Sequence, residues 1–173
     1  MPTEVLYKKI AIVGISGSGK SQFARLLSGK AGLPIFHMDS IFWKGNWEAV
    51  SEREYLSQHK LLLNNDRWII DGYVDKNMAD RLAEADLVIY LDYSGLRCAF
   101  RLLRRWFKHR KESRPELPIE ARERFNLRFF WLVFSRGERH NIEEAIKVGK
   151  PKQIRRFYSP RELDKFLEKT LWN

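Results

Sequence analysis

Apolar residues along this chain gather in short, β-branched runs separated by longer amphipathic stretches. Ile10-Ala11-Ile12-Val13 is the first run, and Pro34-Ile35-Phe36-His37-Met38 is a weaker second. Trp68-Ile69-Ile70 is a third, Leu87-Val88-Ile89-Tyr90-Leu91 a fourth, and residues 153–157 supply a fifth. Runs with so little alternation predict strands covered on both faces, as in a parallel sheet. The second, third and fourth runs lead into an acid: Asp39, Asp71 and Asp92. The intervening stretches carry helical spacing over 21–30, 51–64, 75–85, 94–111, 138–148 and 160–171. Phe23, Leu26 and Leu27 share a face of the first, which Gly29 or Gly32 can end. Ser51-Glu52-Arg53-Glu54 has the spacing of a capping box, and Ser159 before Pro160 reads as an N-cap before a first-turn proline. Strand and helix alternate, so the fold class is α/β with a parallel sheet. The segment from Arg97 to Arg139 breaks the alternation, being helical, basic and aromatic.

Composition narrows the possibilities. The 173 residues suit one domain, and 44% are hydrophobic, enough for a sizeable core. No window offers the roughly 18 apolar residues of a spanning helix. The N-terminal segment is interrupted by Glu4, Lys8 and Lys9, unlike a signal peptide. The single cysteine, Cys98, excludes an intrachain disulfide and fits a reducing cytoplasm. A formal net charge of +10 favours polyanionic partners without choosing among nucleotides, nucleic acid and anionic surfaces. Neither a membrane partner nor an oligomeric state is indicated.

The sharpest chemical signal is Gly14-Ile15-Ser16-Gly17-Ser18-Gly19-Lys20-Ser21, which fits G-x-x-x-x-G-K-[ST] between a buried strand and an amphipathic helix. Glycines at 14, 17 and 19 let successive N–H groups around Ser16 and Ser18 turn toward phosphate oxygens. Lys20 supplies a mobile charge for the β- and γ-phosphates of ATP, and the Ser21 hydroxyl is a Mg²⁺ ligand candidate. The helix that follows offers its positive end to the anion. Mg²⁺ also calls for a nearby carboxylate. Asp71 and Asp92 both stand at strand ends, and Asp71, followed by Gly72, is favoured; an ordinary strand-end cap is the other reading of each.

Taken together, these motifs resemble a family. The P-loop, then Leu33-Pro34-Ile35-Phe36-His37-Met38-Asp39, then Trp43 and Trp47, then Trp68-Ile69-Ile70-Asp71-Gly72-Tyr73, are similar to the small bacterial P-loop kinases labelled DNA topology modulation protein (FlaR-like), relatives of adenylate kinase. The resemblance spans nearly the whole chain and is clearest over residues 10–114. It implies a three-layer nucleoside monophosphate kinase fold, with a five-stranded parallel sheet ordered 2-3-1-4-5 and a lid between strands 4 and 5. One domain over 1–173, with the lid at about 108–139, is the corresponding organisation. The resemblance puts Asp71 near Mg²⁺. In adenylate kinases two arginines follow the fourth strand, one stacking on adenine and one touching phosphate; the spacings fall on Arg101 and Arg105. Ser113-Arg114-Pro115 resembles the lid motif of shikimate kinase, which makes Arg114 a further catalytic candidate. Adenylate kinases continue D-G-F-P-R, whereas this chain reads Asp71-Gly72-Tyr73-Val74-Asp75-Lys76, without the arginine that holds the acceptor's phosphate.

Arg97, Arg101, Arg104, Arg105, Lys108 and Lys111 repeat at helical spacing and form a basic face able to clamp a transferring phosphoryl group, or simply to face solvent. Arg136 and Arg139 could reach the site from the far side of the lid. Asp39 is the candidate to orient or deprotonate an acceptor hydroxyl. His37 reads as a core or strand-end residue. Phe42, Trp43 and Trp47 could wall an acceptor pocket, and the aromatic stretch 125–134 reads as a buried lid face or an association surface. Phosphoryl transfer from ATP with Mg²⁺ to a small nucleotide or nucleoside acceptor is the leading expectation. An ATP-binding, nucleic-acid-associated regulator is the alternative, although no readout motif is present. A P-loop ATPase acting on a partner protein is a third.

Overall fold

The structure is a computed structural model and describes residues 7–44, 47–72, 74–109 and 126–169. Five parallel strands form one sheet: β1 (Lys9–Gly14), β2 (Ile35–His37), β3 (Trp68–Asp71), β4 (Leu87–Leu91) and β5 (Ile154–Phe157). Their spatial order is β2-β3-β1-β4-β5, as the resemblance implies. Ile12 sits beside Asp71 on one side and Ile89 on the other, so β3 ends opposite Ile12 while β1 runs on to Gly14. All five apolar runs are strands. The three central ones, β1, β3 and β4, are almost wholly buried, which is why their sequences show no alternation.

Eight helices complete the described fold: α1 (Lys20–Ala31), α2 (Met38–Phe42), α3 (Glu52–Leu63), α4 (Met78–Glu84), α5 (Gly95–His109), α6 (Leu127–Phe134), α7 (Arg139–Gly149) and α8 (Pro160–Lys169). Gly32 ends α1 by donating its N–H to the Ser28 carbonyl, 2.8 Å away, and Gly29 lies within the helix. Ser51 caps α3 by accepting from the Glu54 N–H at 3.2 Å. At α8 the Glu162 carboxylate takes hydrogen bonds from the Tyr158 N–H and the Ser159 hydroxyl, both at 3.0 Å.

Right-handed crossovers fix the layers. The chain leaves β1 toward β2 and leaves β3 toward β4, in opposite directions across the sheet. Helix α1 therefore covers one face, while α3, α4 and α7 cover the other. A side chain on Gly149 would meet the Ala79 carbonyl, which shows how closely α7 and α4 approach. The same reversal opens a crevice at the C-terminal ends of β1 and β3, the topological switch point where such sheets bind ligands.

Two sequence expectations are corrected, one after β2 and one before α4. The strand stops at His37, and Met38 begins α2, so Asp39 projects from a short helix rather than following a strand end. Met38 is fully buried and anchors that turn in the core. The helix expected from residue 75 begins at Met78, because Asp75 accepts the Asn77 N–H at 2.6 Å and holds a turn instead.

Between α3 and α4 lies a buried polar cluster that hydrophobic patterning did not reveal. Arg81 donates to Asp75 Oδ2 at 2.8 Å, and the Tyr55 hydroxyl donates to the same oxygen at 2.7 Å. His59 stacks on Tyr55 with ring centroids 5.9 Å apart, and its Nε2 lies 3.5 Å from Arg81 Nη1. Burial, reinforced by the Arg81 charge, lowers the His59 pKa to about 4 against weaker opposing pulls from Asp75 and Asp80. His59 therefore folds as the neutral base, with Nε2 free to accept from Arg81. The unfolded chain takes up this proton near pH 6.5 and the folded one only near pH 4, so stability falls as pH drops through that window. The loss is on the order of 3 kcal/mol at its fullest, from about 1.4 kcal/mol per pKa unit. His59→Gln keeps an acceptor but cannot titrate, so urea unfolding of this variant should lose much of the parent's decline in stability between pH 7 and 4.5.

Candidate active site

The P-loop leaves β1 at Gly14 and enters α1 at Lys20, at the mouth of the switch-point crevice. Gly17 adopts φ +78°, and a side chain there would run into the Cys98 carbonyl of α5. The loop thus rests directly on the helix behind it. Cys98 itself is buried, and that burial pushes its thiol up to about 11, which makes it an inert packing group. Arg101 also props the loop, donating to the Ser18 carbonyl at 2.7 Å while lying 5.7 Å from the Tyr93 ring centroid. The basic face of α5 is divided accordingly: Arg101 and Arg105 are half-buried, whereas Arg97, Arg104 and Lys108 are exposed.

Lys20 folds over the loop and donates to the carbonyls of Gly14 at 2.8 Å and Ile15 at 3.2 Å. Ser21 is half-buried in the first turn of α1. The Ser18 hydroxyl is buried without a hydrogen-bond partner in the structure. One group at the loop was not foreseen. The Glu138 carboxylate, just before α7, takes the Ser16 N–H at 2.5 Å and the Ser16 hydroxyl at 3.0 Å. The loop's outward N–H at Ser16 thus already holds an anion from the chain itself, a demonstration of its preference for negative charge.

Across the crevice, Asp71 ends β3 with its side chain fully buried. Its Oδ1 bonds His37 Nδ1, while its Oδ2 has no hydrogen-bond partner. His37 therefore serves as a strand-end partner of Asp71. Gly72 follows with φ +104°, and a side chain there would come within 3.2 Å of both the Asp39 amide and its Oδ2. The absence of that side chain lets Asp39 pack beside Gly72. Next to Asp39, the ring of Phe42 meets Trp43 at 4.7 Å and Tyr55 at 5.5 Å, and Trp43 meets Trp47 at 5.6 Å. Phe42, Trp43 and Trp47 are half-buried, and Tyr55 is buried.

Asp92, the other strand-end acid, has a different environment. Arg136 pairs with Oδ1, Arg139 reaches both oxygens at 3.2 Å, and Arg156 reaches Oδ2 at 3.3 Å. Arg156 also forks onto Glu143 with two bonds of 2.9 Å and lies 4.6 Å from the Tyr90 ring centroid. Asp92 thus ties β4 to β5, to α7 and to the turn before α7. Arg136 and Arg139, considered from sequence as reaching the site from the far side of the lid, are instead bonded to Asp92.

The other expected residues are dispersed or lie elsewhere. Arg114, Lys111, Tyr73 and Phe125 fall outside the described residues, as does the 110–125 portion of the expected lid. Helix α6 is not a wholly buried face: Val133 is buried and Phe129 and Phe130 are half-buried, but Trp131 and Phe134 are exposed. No helix among the described residues is long and apolar enough to cross a membrane.

No family model matches the chain, and no curated protein does. Solved structures do. Shikimate kinase from Acinetobacter baumannii in complex with shikimate superposes with a TM-score of 0.54 at 15% identity, covering 96% of each chain. Deoxyadenosine kinase from M. mycoides with bound dATP gives 0.54 at 18% identity, covering 94% of this chain and 98% of the other. The same enzyme with products dCMP and dCDP gives 0.51 at 19% identity, covering 93% and 97%. At such identities the similarity concerns architecture, and the architecture of this chain is the P-loop kinase fold.

The Asp92 cluster carries its own test. Burial alone would raise the Asp92 pKa, but the Arg139 hydrogen bond and the charges of Arg136, Arg139 and Arg156 hold it below the usual carboxylate value. A depressed carboxylate stabilises the fold above its unfolded pKa near 3.8, and that contribution is lost as pH falls through the lower folded value. Asp92→Asn should cost about 3 kcal/mol at pH 7, the scale for removing one partner of a largely buried ion pair. The gap between variant and parent in chemical denaturation should shrink as pH is lowered below 4.

Proposed function

We propose that the protein transfers the γ-phosphoryl group of ATP to a hydroxyl of a small acceptor, in the nucleotide or nucleoside class. The observation that carries this reading is the complete P-loop after β1, with Asp71 ending the neighbouring strand β3 and Asp39 beside Gly72. Gly14, Ser16, Gly17, Ser18, Gly19, Lys20 and Ser21 would hold the nucleotide phosphates. Lys20 would exchange its two carbonyl contacts for β- and γ-phosphate oxygens, and Ser16 would exchange Glu138 for phosphate. Arg101 supports the loop from behind, and Arg105 and Arg114 are the proposed additional clamps on the transferring group. The likeness of motifs to the DNA topology modulation protein (FlaR-like) kinases, and the fold shared with shikimate and deoxyadenosine kinases, support the same reading.

The residues present fit a divalent cation. Asp71 offers a fully buried oxygen with no hydrogen-bond partner, a costly state that a cation or its hydration water relieves. Ser21 would be the direct ligand and Asp71 the partner in the adjoining shell. Mg²⁺ bound there supplies charge neutralisation of the β- and γ-phosphates. Asp92, occupied by three arginines, is the poorer candidate.

In the transfer, the acceptor hydroxyl oxygen bonds to the γ-phosphorus. The bond from that phosphorus to the β–γ bridging oxygen breaks, and ADP departs with its electron pair. The acceptor's proton passes to Asp39 or through it to solvent. A cytoplasmic site of action accompanies this reading, since ATP and a reduced Cys98 belong there together.

The alternative, an ATP-binding regulator associated with nucleic acid, draws on the net charge of +10 and on the exposed Arg97, Arg104 and Lys108 of α5, a helix without an acidic residue. It requires tight DNA binding with a steep salt dependence.

Two variants test the primary reading in an assay of ADP release with a panel of acceptors and a no-acceptor control. Lys20→Ala should abolish transfer, by a thousandfold or more on the scale of other charge-stabilising groups, with an unchanged circular dichroism spectrum; full activity would remove the P-loop from the mechanism. Asp39→Asn should lower kcat for transfer by about a hundredfold or more while ATP affinity in calorimetry stays within a few-fold. Equal loss of both would make Asp39 a structural residue.

A further inference from the structure

The P-loop already holds an anion, and the place where it holds it bears on how the loop tells one nucleotide from another. Glu138 accepts from the Ser16 N–H at 2.5 Å and from the Ser16 hydroxyl at 3.0 Å, and both residues are half-buried. Lys20 rests its ammonium on the carbonyls of the two residues before Ser16, Gly14 at 2.8 Å and Ile15 at 3.2 Å. Glu138 and the Lys20 ammonium therefore serve the same end of the loop, the β1 end. In a loop of this type the backbone N–H groups cradle the α- and β-phosphates, and the lysine reaches on to the γ-phosphate. A nucleoside diphosphate fills that cradle with Glu138 still in place, whereas a triphosphate brings a further anionic group to the end that Lys20 and Ser16 share. Two anions at one partly buried residue repel more strongly than they would in water, and Mg²⁺ cancels only part of the triphosphate's charge. The turn that carries Glu138 is braced. The Arg136 N–H donates to the Val133 carbonyl at 3.1 Å, the Gly137 N–H to the Leu132 carbonyl at 2.8 Å and the Arg139 N–H to the Arg136 carbonyl at 2.9 Å. The side chains of Arg136 and Arg139, on either side of Glu138, are both bonded to Asp92. Arg136 also adopts φ +60°, a conformation that is costly for any residue but glycine and is kept only where its surroundings impose it. Glu138 is thus delivered to the loop by a backbone held in one place.

From this geometry we infer that Glu138 is a specificity residue that senses the γ-phosphate: it stays on Ser16 in the empty and the ADP-bound protein and is expelled when ATP enters. Expelling it weakens the binding of ATP and leaves that of ADP nearly untouched, so Glu138 sets the ratio of the two affinities. The inference rests on the kinase reading above and concerns the nucleotide rather than the acceptor.

The test is calorimetry with Mg²⁺, comparing ADP with the non-hydrolysable β,γ-imido analogue of ATP on the full-length protein and on Glu138→Gln. Glutamine keeps the shape and an acceptor oxygen for Ser16 but removes the charge. The variant should bind the analogue about fivefold or more tightly than the parent does, while its affinity for ADP stays within about twofold. An equal gain on both ligands overturns the inference, because the carboxylate then obstructs the whole loop without reading the third phosphate. An analogue bound no better, or less well, also overturns it and makes Glu138 a support of the loop. A parent protein that binds neither ligand overturns the P-loop reading as well. A second measurement needs no altered protein in the titration. The carboxyl ¹³C resonance of Glu138, identified by its absence from the spectrum of Glu138→Gln, should stay in place when the unaltered protein is saturated with ADP and shift when it is saturated with the analogue. A resonance that responds alike to both ligands, or to neither, overturns the inference and leaves the kinase reading standing.

Discussion

Unsatisfied backbone N–H groups at the start of a helix have to find negative charge or water, and the loop from Gly14 to Lys20 is where this chain concentrates them. The rest of the fold is arranged around keeping that loop in place. Strand β1 delivers it from the centre of the sheet, with β3 and β4 bonded on either side. Helix α5 backs it, with the Cys98 carbonyl against Gly17 and Arg101 on the Ser18 carbonyl. Neither contact can be made by a loop that carries ordinary side chains or follows ordinary backbone angles. The geometry that makes the loop attractive to an anion is therefore maintained by packing on its far side, where the anion never reaches.

Two acids at equivalent strand ends show how surroundings assign different roles to one residue type. Asp92 is saturated by Arg136, Arg139 and Arg156 and serves as a tie among β4, β5 and α7. Asp71 keeps one buried oxygen without a hydrogen-bond partner, and its neighbour Gly72 leaves room for Asp39. The same residue type is thus a neutralised tie at one strand end and a buried acid with an oxygen still to satisfy at the other.

Local patterns made most of this architecture readable from sequence. The buried strands announce themselves because burial on both faces removes polar positions, and the P-loop because its glycines and Lys20 serve a backbone geometry with few alternatives. The order of the strands came from resemblance, since periodicity carries no information about neighbours. Long-range polar pairing was the least legible feature. Nothing near Glu138 in sequence points to Ser16, more than a hundred residues away. Asp75, Arg81, Tyr55 and His59 carry no motif of their own, and the meeting of α3 and α4 buries their side chains. Helix α2 was missed because Met38 continues the apolar run of β2, so hydrophobicity alone could not tell a strand's last residue from a helix's first.

The bond between Glu138 and Ser16 has a thermodynamic meaning of its own. An internal ligand competes with every external one, so any anion entering the loop at Ser16 binds more weakly than it would to the bare backbone. Glu138 stands immediately before α7 and next to Arg139, whose guanidinium is fixed on Asp92. Occupancy of the loop and the seating of α7 are consequently linked functions: whatever favours one arrangement of this helix start alters the apparent affinity at the other end of the bond, and by reciprocity the bound anion reports on the helix.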